Sequence, residues 1–87
     1  MKLILSAPNK ERVYFVGSAS GYHGRLGKIR IRTRFEKHFL ALINSEILRD
    51  THLQVRRQEN EYQIDLPMSK ATVLNVDGTP HTLKKLE

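Results

Sequence analysis

Apolar and polar positions change their period along the chain, and each change marks the edge of an element. Over residues 2–6 and 12–18 apolar residues occupy both parities: Leu3, Leu5, Val13 and Phe15 can share one face, while Ile4, Tyr14 and Val16 supply the other. Strands apolar on both faces are predicted to lie inside a sheet, and Pro8-Asn9-Lys10 between them predicts a turn. Residues 17–24 (GSASGYHG) have no period and predict a loop of small residues. From about residue 27 to 32 the alternation is strict, with Ile29 and Ile31 on one face and Lys28, Arg30 and Arg32 on the other. That is the two-residue period of a half-buried strand.

The period then lengthens. Phe35, Phe39, Leu42/Ile43 and Ile47 recur at helical spacing, with Leu40 and Leu48 widening the stripe. Thr33-Arg34-Phe35-Glu36 fits the S/T-x-x-E capping box, so a helix is predicted over 34–49 with Thr33 as its N-cap. Residues 52–66 predict a hairpin turning at Glu59-Asn60. Val55 would pair with Ile64 and Leu53 with Leu66, leaving Gln54, Arg56, Gln63 and Asp65 on a nearly neutral opposite face. The tail predicts a strand over 71–76, a turn at Asp77-Gly78 and a return segment that Pro80 confines to an edge. The order β-β-β-α-β-β-β makes this an α+β fold: an antiparallel sheet of about five to six strands with one amphipathic helix packed on one face.

A chain of 87 residues has room for a single small domain over 1–87. With no Cys, disulfides, thiolate metal sites and thiol catalysis are excluded. The four histidines show no metal-ligand spacing, and neither a metal nor another cofactor is expected. The apolar run at Met1–Leu5 stops too early for a signal h-region, and no later segment has the length of a bilayer span. A cytoplasmic protein without a membrane partner is therefore expected. The terminal Leu86-Glu87 carries no functional expectation.

Charge changes the picture more. The net charge is +6, and between Tyr22 and His38 six Lys/Arg face one acid, which places +5 of it in that stretch. Concentrated positive charge gives a footprint for a polyanion, where a diffuse excess would not. Same-face strand residues are roughly 6.6–6.8 Å apart, an interval at which cations can follow phosphates along a nucleic-acid backbone. Arginine dominates the set, and its guanidinium fork takes phosphate oxygens in two parallel bonds and stacks on bases. Along the strand no acid separates these like charges, an arrangement that costs stability. An edge strand guarded against aggregation needs only one or two.

These residues predict a small basic nucleic-acid-binding protein. Lys28, Arg30 and Arg32 would form a phosphate-tracking face, with Arg25, Arg34 and Lys37 at its margins. Tyr22 and His23 would stack on bases from the tip of the glycine loop. Phe35 and Phe39 are assigned to the core. The run Gly24-Arg25-Leu26-Gly27-Lys28-Ile29 resembles the turn of a KOW motif, an RNA- and protein-binding hairpin of SH3-like barrels, although the helix predicted after it departs from such a barrel.

Two alternatives accompany this reading. A protein-interaction module would dock the same basic face on an acidic partner. A small basic ribonuclease would use His23 or His38 as general base, with Arg25 or Arg30 holding the transition-state phosphate. The residues leave open DNA against RNA, and single against double strand. An edge strand would also permit a homodimer.

Overall fold

The computed structural model describes residues 1–86. It contains seven strands in two antiparallel sheets, not the single sheet of five to six strands that the sequence predicts. The first sheet has the order β2-β1-β7, from β1 (Lys2–Ser6), β2 (Arg12–Val16) and β7 (Thr72–Asn75). Leu3, Ile4 and Leu5 are all buried, which is why β1 takes the centre, paired on both sides. The second sheet has the order β3-β4-β6-β5, from β3 (Ser18–His23), β4 (Lys28–Thr33), β5 (Gln54–Gln58) and β6 (Glu61–Pro67). The inner residues of both sheets join one core. Leu3, Leu5, Phe15 and Val73 come from the first, and Ile29, Ile31, Ile64 and Leu66 from the second.

The helix α1 (Glu36–Ile43) is shorter than predicted at both ends and adds Phe39 and Leu42 to the core. At its start, the Thr33 hydroxyl donates to the Val16 carbonyl and accepts the Phe35 amide, so it is not engaged as a helix cap. Phe35 becomes the N-cap position and Arg34 precedes the helix. At its end, the Ser45 hydroxyl donates to the Leu42 carbonyl at 2.6 Å, competing with the next helical turn. A single 3-10 turn, Glu46–Leu48, follows and buries Ile47 and Leu48. The Glu46 amide donates to Glu11. Arg49, expected in the last turn of the helix, bonds Glu46 instead.

The hairpin of β5 and β6 has the predicted register, with Val55 opposite Ile64. Residues 17–24, read as a loop, are mostly strand β3, which pairs with β4 through a bulge between Ala19 and Gly21. The Gly24–Gly27 segment makes the turn between them, with Gly27 at φ 62°. The free edge of β3 is covered by the chain's own tail: Tyr22 donates to the Lys84 carbonyl, and Leu86 donates to the Tyr22 carbonyl. Leu86 thus seals a sheet edge, while Glu87 lies outside the described residues. Gly21, at φ 146°, permits this contact, since a Cβ there would stand 2.2 Å from the Lys84 oxygen. The predicted return strand after Asp77-Gly78 is reduced to one bridge, Leu74 to Pro80. No helix among the described residues is long and apolar enough to cross a membrane.

Candidate functional site

Strand β4 has the predicted alternation: Ile29, Ile31 and Thr33 are buried, and Lys28, Arg30 and Arg32 lie on the outer face. Its neighbour β6 places acids against two of the three cations. Arg30 stands opposite Asp65 and grips it with two bonds, Nε to Oδ1 at 3.0 Å and Nη2 to Oδ2 at 3.3 Å. The Asp65 side chain is 12% exposed, and hydrogen bonding to it raises the Arg30 pKa above its ordinary value. Arg32 pairs diagonally with Glu61 at 3.1 Å and is more open, at 46% exposure. The cations therefore do not stand unopposed. Their acids lie across the sheet, where reading along β4 does not find them.

The eight predicted site residues divide into groups. Arg25 is exposed in the β3–β4 turn, and His23 lies opposite Lys28 at the same end of the ladder. Tyr22, expected at a loop tip, is instead in β3 opposite the buried Ile29, and packs against the core beneath the tail. At the far end of β4, Arg34 and Lys37 are exposed on the link into α1 and on its first turn.

One residue that spacing assigned to the core belongs to this surface. Phe35 is 54% exposed, whereas Phe39 is buried and stacks on Tyr62 with centroids 4.6 Å apart. Because α1 begins at Glu36, Phe35 stands outside the helix and escapes its apolar stripe. The only sequence sign of this was its place between Arg34 and Glu36. Arg32, Arg34 and Phe35 together line a cleft of about 350 Å³ with Val16, Gly17 and Ser18. On its other side Arg34 borders a wider cleft of about 850 Å³ with Arg57, Glu36 and Glu61. Arg57 there lies over the Tyr62 ring, 5.3 Å from its centroid.

The histidines do not form a common acid–base centre. His23 lies beside Lys28, His38 against Phe35, and His81 bonds Asn75 at 2.9 Å. Among the described residues no three His, Asp or Glu side chains are grouped to hold a metal ion. What the arrangement offers chemically is charge: exposed guanidinium and ammonium groups from two elements, with one exposed aromatic ring between them. No protein-family model, no curated protein and no solved structure matches the chain, so the functional reading rests on these side chains alone.

Proposed function

We propose that this protein binds nucleic acid through its phosphate backbone, with Lys28, Arg32, Arg34 and Lys37 as the principal contacts. The observation that carries the reading is the run of cations leaving β4 and entering α1. Lys28 is half-buried, and Arg32, Arg34 and Lys37 are exposed; among the described residues only Arg32 of the four has an acidic partner within ion-pair distance. From Lys28 to Arg34 the row covers about 20 Å of extended chain, enough to meet several phosphates. Arg25 and His23 extend it at the turn end. Arg30 is excluded from the contact set because Asp65 already holds the Nε–Nη2 side of its guanidinium in two bonds. Tyr22 is excluded because its ring faces the core.

Binding of a generic oligonucleotide at two salt concentrations tests this. Neutralising three to four phosphates gives a single-strand salt slope near −2 to −3, hence roughly a 20- to 50-fold loss of affinity between about 50 and 200 mM salt. Arg34→Ala with Lys37→Ala should flatten that slope by about one to two units without unfolding the domain. Glu61→Gln should strengthen binding, because it releases Arg32. Absence of binding at low salt, or affinity indifferent to salt, refutes the proposal.

A further inference from the structure

We infer that the bound form is single-stranded, and that its bases stack on a platform formed by Phe35, His38 and Tyr14 at the junction of β4, α1 and the end of the first sheet. This deepens the nucleic-acid reading and rests on it. Two adjoining clefts carry the inference. The first, described above, joins Phe35 to Arg32 and Arg34. The second, about 310 Å³, is lined by Lys2, Tyr14, Val16, His38 and Val76 among others, and Val16 lies in both. The ring of His38, in the second cleft, stands 5.8 Å from that of Phe35, in the first, and is inclined at 76° to it. The two rings make a corner, one wall for the face of a base and the other for its edge.

Single exposed apolar residues need no explanation, but a cluster of them does. Here Met1, Tyr14, Phe35 and Val76 are 71%, 63%, 54% and 59% exposed, all around these two clefts. The backbone of Phe35 is also anchored at both its amide and its carbonyl. Its amide donates to Thr33, and its carbonyl accepts the amides of His38 and Phe39. A ring on an anchored backbone has only its two side-chain torsions to lose when a base settles on it, which suits a stacking platform.

Charge selects the occupant. Arg32 and Arg34 line the first cleft against one acid, Glu61, which is paired with Arg32; Lys2 lines the second, which has no acid, and Glu36 lines the opposite cleft with Arg57. Asp77, next to Val76, is taken up in its own turn by the Thr79 amide and hydroxyl. Rings interleaved with cations fit unpaired bases on an anionic backbone. In a duplex the bases are stacked on one another, and their faces cannot reach a surface ring.

The chain has no Trp, so Phe35→Trp introduces a single reporter at the platform. An oligothymidylate of about 12 nucleotides and its duplex with oligoadenylate are the probes, at low salt. Phe35→Trp keeps a stacking ring at the platform, and its fluorescence should be quenched when the single strand is added. Phe35→Ala should lose roughly 5- to 150-fold in affinity for the single strand, the worth of one stacked base, with duplex affinity unchanged. Phe35 is exposed, so the thermal transition should stay within a few degrees of the parent. Equal single-strand binding by parent and Phe35→Ala, or an unresponsive Trp, overturns the inference while leaving backbone binding intact. Failure of both probes to bind at all overturns the underlying reading instead. Concentration-dependent self-association abolished by Phe35→Ala would assign the patch to a protein interface and also overturn it.

Discussion

Replacing Arg30 with Met removes the guanidinium but keeps most of the aliphatic stem, and so isolates the bond to Asp65. Two charge-assisted bonds at 3.0 and 3.3 Å are lost, and the carboxylate left behind has a side chain only 12% exposed. Exposed pairs contribute about 0.2–1 kcal/mol, whereas stripping one partner from a buried pair costs about 3–5 kcal/mol. Here the arginine is 33% exposed and the aspartate nearly buried, so the cost falls between, at about 2 kcal/mol. For a domain of this size that lowers Tm by roughly 8–16 °C. Urea unfolding measures it directly, as a lower midpoint at unchanged slope. The double variant Arg30→Met/Asp65→Leu leaves no stranded charge and should recover to within about 1 kcal/mol of the parent. The raised Arg30 pKa makes its contribution complete below the ordinary arginine value and lost only above the raised one, so the effect of Arg30→Met should be the same throughout the neutral range. A loss under about 0.5 kcal/mol, or a double variant worse than Arg30→Met alone, would show that the pair does not hold β4 to β6.

Gly21→Ala should detach the tail, because its Cβ would stand 2.2 Å from the Lys84 carbonyl oxygen and the φ of 146° is strained for any side chain. Faster proteolysis at 82–86 and faster exchange of the Tyr22 and Leu86 amides are expected; protection equal to the parent's would refute the contact. The Asp77–Thr79 turn should respond to acid. Hydrogen bonds from the Thr79 hydroxyl and amide hold the Asp77 carboxyl below its ordinary value, so their support is present above that value and lost as pH falls through the lowered one. The Thr79 amide resonance should therefore be steady at mildly acidic pH and shift only under stronger acid, a shift that Asp77→Asn abolishes. A titration at the ordinary aspartate position would refute it.

Local patterns in this chain report what each segment does and stop short of which segments meet. The central place of β1 is legible because Leu3, Ile4 and Leu5 leave no polar face. The β5–β6 register is legible because its turn is short and the two-residue period allows only one parity for Val55 and Ile64. Strand β3 is illegible, since Ser-Ala-Ser-Gly-Tyr-His has no apolar alternation and owes its extension to β4 on one side and the tail on the other. The split into two sheets depends on β1 pairing with β7 near the opposite end of the chain, a choice no local pattern encodes. Helical spacing failed at Phe35 for a related reason: Thr33 spends its hydroxyl on Val16, in another strand, and the helix starts one residue too late to include the ring.

The same distinction reshapes the basic segment. Counted along the chain it is a row of like charges, but the sheet grades those charges by what faces them. Arg30 is bound through Nε and Nη2 to a nearly buried acid, and a phosphate displacing that pair would strand Asp65. Arg32 has a partner that is itself 28% exposed, and a pair of that kind is cheap to exchange for a phosphate. Among the described residues neither Arg34 nor Lys37 forms an ion pair with the β6 acids that hold Arg30 and Arg32, although Glu61 lines both clefts that Arg34 lines. Availability therefore rises from the middle of β4 toward the helix, and the one exposed Phe sits where it is highest. On the proposed reading, a ligand following that gradient would have its backbone along the outer face of the second sheet and its bases at the strand–helix junction. If the protein binds nucleic acid as proposed, the middle of the basic strand is not where the ligand would be held, because Asp65 already engages Arg30 there.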